Sequence, residues 1–163
     1  MAKHRIEGDL HITGALTMGE LGIPDSTITN ADVEADADID ASKLEHSHRG
    51  LHTQNGTAVA ATEVMHVVYG ATGTIKAVKA GSVVAATGNA TMTVDVKKNG
   101  TTVLSAPIVL DSTNTAYIVE AGMPTVTTLV AGDVLTAVVT VDAGTGALGT
   151  GLFVEAEIWE VTA

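Results

Sequence analysis

Residues 57–163 alternate between apolar and polar positions in short runs that are separated by turn residues. In residues 91–96, polar and apolar side chains alternate with period two, the pattern of a strand with one buried face. Asn99-Gly100 follows, and residues 101–104 resume a β-prone run. An Asn-Gly dipeptide between two such runs predicts a hairpin with a type I′ turn, because both residues accept positive φ.

Further runs of the same kind recur along this part of the chain. They predict strands over residues 63–69, 74–84, 107–110, 116–120, 126–130, 134–141 and 152–161. Turn residues every 8–12 positions or so are typical of a sandwich or barrel, and no window favours a long amphipathic helix. We therefore expect residues 57–163 to form an all-β, antiparallel β-sandwich.

Residues 1–56 have a different pattern, in which single apolar residues are scattered among glycines and Pro24. They are too sparse to form a core and too apolar for a solvated tail. We interpret this part as an extended arm and linker whose apolar residues bind another surface; the alternative is a frayed terminus folded partly onto its own domain. The expected partner-binding residues are Ile6, Leu10, Ile12, Leu16, Leu21, Ile23, Ile28, Val33, Ile39 and Leu44.

Composition and charge exclude several classes of function. The 163 residues have a net charge of −11, which opposes binding to nucleic acid and to anionic membranes. The chain has no cysteine, no apolar stretch behind its basic N-terminus and no run long enough to span a bilayer, so we expect synthesis in the cytoplasm. Only 2% of the residues are aromatic, and we expect a homo-oligomer to supply stability and to cover the sheet edges.

Acidic residues occupy every second position from Asp32 to Asp40. A calcium loop is one interpretation, because Ca²⁺ prefers several carboxylates. In the EF-hand register that begins at Glu34, however, Ile39 falls where glycine is needed for the turn. We favour an extended segment with one apolar face and one charged face.

Histidines are concentrated just after this row, at His46, His48 and His52. A His-x-His sequence on a strand places both imidazoles on one side, and imidazole binds Zn²⁺, Ni²⁺, Fe²⁺ and Cu²⁺. One chain offers fewer ligands than a closed zinc site needs, so a transition metal is expected only where a threefold axis repeats these residues. The alternative is that they are solvated or hydrogen-bonded histidines in a linker.

Motifs for catalysis are weak. Residues 144–149 match G-x-G-x-x-G, but an alternating strand pattern follows them where a dinucleotide site needs a helix, which favours a hairpin loop. Glu155 and Glu157 lie on the same face of one strand, and we expect that face to be exposed to solvent. We do not expect an enzyme, and we expect no cofactor other than the metal described above.

Two parts of the chain resemble proteins of tailed-phage virions. Residues 28–33 (ITNADV) and 37–44 (ADIDASKL) resemble segments that link an attachment region to a trimeric head. Residues 93–105 (TVDVKKNGTTVLS), with 131–135 (AGDVL), are similar to jelly-roll domains of phage head-decoration and fibre proteins.

The resemblance implies a jelly-roll-like domain and a small homotrimeric decoration (cement) protein on the outer surface of a capsid. Its partners would be the major capsid protein and two further copies of the chain. One rival hypothesis is a receptor- or glycan-binding tip of a tail fibre. The other is a bacterial surface or secreted adhesion module, which the lack of a signal peptide disfavours.

Overall fold

The structure, a computed structural model, describes residues 45–161, and these form ten strands. This part of the chain contains no helix that could cross a membrane. The strands are β1 (Glu45–Thr53), β2 (Ala61–Val67), β3 (Thr72–Val84), β4 (Thr91–Lys98), β5 (Thr101–Thr102), β6 (Ile108–Leu110), β7 (Glu120–Gly122), β8 (Thr128–Val130), β9 (Val134–Asp142) and β10 (Thr150–Val161).

Two antiparallel sheets pack face to face. One has the order β1-β10-β3-β7, with β8 also paired to β3, and the other has the order β2-β9-β4-β5, with β6 also paired to β4. The short strands β7 and β8 lie beside different parts of β3, and β5 and β6 beside different parts of β4, so each pair occupies one strand position. Four positions to a sheet in this order form a jelly roll. The expected all-β antiparallel sandwich is confirmed.

The core lies between the sheets and is built from every second residue of the long strands. Met92, Val94 and Val96 of β4 are buried, and the residues between them are half-exposed, as the period-two pattern predicts. Ala, Val, Leu, Ile and Met form this core, and none of the aromatic residues of the described part belongs to it. The core of the described part is therefore built from aliphatic side chains and methionine.

The predicted hairpin between β4 and β5 is confirmed. Asn99 and Gly100 have φ values of 49° and 87°, as a type I′ turn requires. The Asn99 side chain also donates to Oδ1 of Asp133 over 2.6 Å and accepts from the Val134 amide over 2.9 Å. The turn residue thus ties the hairpin to the start of β9.

Residues 144–149 lie in the loop between β9 and β10, as expected of a hairpin loop.

The strand predicted at residues 116–120 is wrong in position, because residues 116–119 are irregular and β7 begins at Glu120. Tyr117 has a φ of 64°, which a strand does not accommodate, and its amide donates to the Ser82 carbonyl over 2.9 Å. A run of β-prone residues therefore forms a turn because this contact with β3 bends it.

Strand β1 lies within the residues that we assigned to the arm and linker. It pairs with β10 along its whole length, from Glu45 opposite Val161 to Thr53 opposite Phe153. The sandwich therefore includes residues 45–53, and the division predicted between residues 56 and 57 does not mark its limit. The apolar alternation typical of a strand is missing from β1 because its inward positions hold histidine and glycine.

Candidate functional site

The two sides of the sandwich are built differently. On one side, a bridge between Leu104 and Pro124 links the two sheets. On the other side, β1 is the edge strand of one sheet and β2 is the edge strand of the other, and they lie against each other. We call this junction between β1 and β2 the edge seam.

The histidines of β1 lie on the inner face of their sheet, at its edge beside β2. Residues 46, 48 and 52 pair with Glu160, Ile158 and Val154 of β10, all three of which are buried, and opposite residues of paired strands share a face of the sheet. The predicted placement of His46 and His48 on one side of a strand is confirmed. That side is the inner face of the sandwich.

Gly50 allows the two edge strands to approach closely. A Cβ at this position would lie 3.2 Å from the Cβ of His66 and 3.3 Å from the Cβ of Met65, both on β2. A larger side chain would have to push β2 away. The glycine therefore brings His66, a histidine outside the predicted cluster, beside the histidines of β1.

Three imidazoles form a row along the seam. The ring centroids of His46 and His48 are 6.4 Å apart, and those of His48 and His66 are 5.7 Å apart. The rings are tilted rather than stacked, with interplanar angles of 41° and 35° respectively. His48, the middle ring, is exposed, whereas His46 and His66 on either side of it are half-buried.

Glu160 of β10 has a buried carboxylate and lies opposite His46 in the strand register. Its Oε1 lies 2.5 Å from Nε2 of His66, and its Oε2 accepts from the amides of Gly70 over 2.7 Å and Tyr69 over 3.2 Å. Burial is the largest single influence and favours the neutral acid. The hydrogen bonds from His66, Gly70 and Tyr69, together with the charge of His66, outweigh it and lower the pKa of Glu160 below its ordinary value.

The ionisation of Glu160 determines which ring nitrogen of His66 carries the proton in their contact. An ionised carboxylate can only accept hydrogen bonds, so Nε2 of His66 must be the donor in their contact. In the neutral imidazole, Nδ1 is then the nitrogen with a free lone pair. When His66 is neutral, Glu160 therefore favours the tautomer that has its proton on Nε2.

His46 contains a buried polar atom that has no partner. Its Nε2 is inaccessible to solvent and makes no hydrogen bond within the described residues. Leaving a buried nitrogen unpaired costs about 1–3 kcal/mol. An unpaired group of this kind in a folded protein calls for an explanation, and an ion or a water molecule is a common one.

His52 lies apart from this row. It is four residues beyond His48 on the same strand, about 13 Å away at the rise of a β-strand. Its Nε2 is 3.4 Å from Nε2 of Gln54. The structure thus joins His46 and His48 with His66 and Glu160 and does not join them with His52.

His66 and Glu160 were missing from the predicted site. Glu160 was detectable in the sequence, since it falls in phase with Leu152, Val154, Ala156 and Ile158, the inward positions of β10. A carboxylate at an inward position predicts a buried partner. The pairing with His66 could not be predicted, because it depends on how β2 packs against β1.

Among residues 45–161, no group of three or more His, Cys, Asp or Glu side chains is arranged to hold a metal ion. The threefold-axis metal predicted for His46, His48 and His52 stays a prediction. The ten apolar residues predicted to bind a partner, from Ile6 to Leu44, lie outside the described residues. The chain matches no known protein-family model and no curated protein sequence.

Proposed function

We propose that the protein is a virion structural protein that decorates and stabilises the outer surface of a tailed-phage capsid as a homotrimer. The observation that best supports this is a compact jelly roll with an uncovered apolar segment beside one edge strand. A jelly roll serves many functions, so the fold alone does not identify this one. The exposed apolar segment supports a function in which the protein binds other protein chains.

The uncovered segment comprises Tyr117, Ile118, Val119 and Met123, which flank β7. Their exposed fractions are 72%, 57%, 42% and 70%. The segment runs along the end of β3, where Val83 and Val84 are also exposed. Large apolar side chains grouped at one place on a surface are typical of an interaction site. We call residues 117–119 and 123 the apolar edge.

A second copy of the chain is the occupant that we propose for the apolar edge. Two copies with a net charge of −11 each repel one another wherever their acidic surfaces meet. The only charged residue between Tyr117 and Met123 is Glu120, and it is half-buried and accepts a hydrogen bond from Asn114 over 2.8 Å. The apolar edge is therefore a place where like-charged copies can meet without bringing carboxylates together.

Attachment to the capsid is assigned to residues 1–44, which precede β1. This segment has three basic and nine acidic residues, and it contains all ten predicted partner-binding residues. Three arms held together in a trimer bind a shell much more tightly than one arm, because each later contact forms at high effective concentration. The major capsid protein is the proposed partner.

Co-sedimentation with undecorated capsids of the phage that encodes the chain tests this proposal. The full-length protein should sediment with the capsids, and a form without residues 1–30 should remain in solution with an unchanged β-sheet circular dichroism spectrum. Sedimentation of the truncated form to the same extent would overturn the assignment of the arm. Failure of the full-length protein to bind would overturn the decoration function.

A receptor- or glycan-binding tip is a second candidate, and the exposure of aromatic rings favours it. Tyr69 is 83% exposed, and Trp159 is partly exposed with Nζ of Lys76 4.1 Å from its ring centroid. Aromatic faces are common platforms for sugars. Binding of residues 45–163 to host cells, lost in Tyr69→Ala, would support this candidate over capsid decoration.

A further inference from the structure

We propose that Tyr117 is the anchor residue of the apolar edge, the side chain through which one copy of the chain binds a second copy. The inference rests on the homotrimer proposed above and names the residue that dominates its interface. Among residues 45–161, Asn99 and Tyr117 are the two residues other than glycine that have a positive φ. The backbone at Tyr117, together with the exposure of its ring, carries the argument.

The left-handed conformation of Tyr117, with a φ of 64°, is unfavourable for a tyrosine. In this region the Cβ of an L-residue comes too close to the following carbonyl oxygen, and glycine and asparagine are the residues that adopt it routinely. Asn99 has its positive φ in a hairpin turn that favours asparagine. The local backbone therefore does not explain why position 117 holds a tyrosine.

Packing within the sandwich does not explain the tyrosine either, since its side chain is 72% exposed. What the fold uses at this position is the main chain, because the Tyr117 amide donates to the Ser82 carbonyl over 2.9 Å. Any residue except proline could supply that amide. Strained residues cluster at binding sites and switch regions, where the strain accompanies a function. We therefore assign the ring to a contact outside its own subunit.

A network of polar contacts fixes the loop that carries Tyr117. The amide of Asp111 donates to Oδ1 of Asn114 over 2.6 Å, and Nδ2 of Asn114 donates to Oε1 of Glu120 over 2.8 Å. Oδ1 of Asp111 also accepts from the amide and the hydroxyl of Thr113, over 2.8 Å and 2.7 Å. These contacts connect the end of β6 to the start of β7. A loop that is already ordered loses less conformational entropy when it binds.

The chemistry of tyrosine suits an anchor. Its ring supplies a large apolar area with two rotatable bonds, and its hydroxyl can form a hydrogen bond at the rim of an interface. Tyrosine is enriched among the few residues that contribute most of the binding energy, and apolar neighbours that exclude water surround such residues. Ile118, Val119 and Met123 are exposed beside Tyr117 and can take that part.

Light scattering coupled to size exclusion, over a dilution series of the full-length protein, tests the proposal. Tyr117→Asn is the informative variant, because asparagine accepts the positive φ and removes the ring. We expect the concentration at which the trimer dissociates to rise at least about thirtyfold, as for other interface anchors. Tyr117→Phe keeps the ring and should raise this concentration by no more than about tenfold, the contribution of one hydrogen bond.

Tyr69→Ala is the matched control, because Tyr69 is a tyrosine with an exposed fraction of 83% that follows β2 and does not flank β7. It should leave the dissociation concentration unchanged. Thermal unfolding gives a second readout, measured on protein dilute enough for the parent trimer to be dissociated. The Tm of Tyr117→Asn should equal or exceed that of the parent chain, because asparagine relieves the backbone strain.

The outcomes separate this proposal from the proposed function. A lower Tm for Tyr117→Asn would show that the ring serves the fold and would overturn the proposal. A trimer that is unaffected by Tyr117→Asn, or weakened equally by Tyr69→Ala, would overturn it while the homotrimer remains. If Tyr117→Asn stays trimeric but no longer sediments with capsids, the ring binds the capsid and not a second copy. A parent chain that is monomeric at every concentration would overturn both the anchor and the homotrimer.

Discussion

His66 and Glu160 join the two sheets of the sandwich through a contact of 2.5 Å between Nε2 and Oε1. His66 lies on β2 of one sheet and Glu160 on β10 of the other, 94 residues later in the chain. Both side chains are shielded from solvent, with exposed fractions of 13% and 4%. A polar pair thus lies at the edge seam, beside the apolar core between the sheets.

Glu160→Gln should destabilise the protein most near neutral pH. The substitution leaves two amides and an imidazole without their charged acceptor, and we expect a loss of about 1–3 kcal/mol in the free energy of unfolding. The folded pKa of Glu160 is lowered, so its ionised form stabilises the protein above the unfolded pKa of about 4.3, and this stability is lost as the pH falls through the folded pKa. Urea denaturation at pH 7 and pH 3 should show a deficit that shrinks in acid.

Glu157→Gln is the control for that measurement. It removes the same charge from the same strand, but Glu157 is half-buried on the outer face and accepts a hydrogen bond from Nε1 of Trp159 over 3.1 Å. We expect a change within about 0.5 kcal/mol at both pH values. Equal losses for the two variants would show that net charge, rather than the seam, accounts for the effect.

Gly100→Ala should destabilise the hairpin between β4 and β5. Gly100 has a φ of 87° and no atom near the position of a new Cβ, so conformational strain is the only cost. We expect a loss of about 1–2 kcal/mol. Thermal unfolding followed by circular dichroism measures it.

Gly56→Ala is its counterpart, because Gly56 also has open space around it but does not have a positive φ. We expect this substitution to be neutral or slightly stabilising, since alanine reduces the freedom of the unfolded chain. If both variants lose stability equally, the turn geometry is not what requires glycine at position 100.

Leu135→Ala should create a cavity in the centre of the sandwich. Leu135 of β9 is 0% exposed, and removing a fully buried leucine side chain costs about 2–5 kcal/mol. Leu51→Ala, on the outer face of β1 where the side chain is 56% exposed, should change stability by less than about 0.5 kcal/mol. Equal denaturation midpoints for the two variants would contradict the burial of β9.

Ile118→Asp should dissociate the proposed homotrimer. It adds a carboxylate to the apolar edge of each copy, where burial of a charge and like-charge repulsion both oppose association. Light scattering coupled to size exclusion should show a trimer for the parent chain and a monomer for the variant. Val64→Asp on β2, equally exposed but remote from the apolar edge in the sheet order, should leave the trimer intact. Dissociation by both, or by neither, would contradict the assignment of the interface.

The sequence by itself determined most of the strands and one turn. Period-two alternation located β4, β9 and β10, because each has one face on the core and one toward solvent. The Asn99-Gly100 turn was predictable because its geometry depends on two residues that accept positive φ. Local chemistry is sufficient for features of this kind.

Only the tertiary structure decided that β1 belongs to the sandwich and that the residues 116–119 bend away from a strand. Strand β1 has histidine and glycine at its inward positions, so its burial pattern appears only once β10 and β2 are in place. The edge seam likewise unites His46 and His48 of β1 and His66 of β2 with Glu160 of β10, which is distant from them in sequence. The spacing of His46 and His48 places them on one side of β1, but only the packing of the two sheets brings His66 and Glu160 beside them.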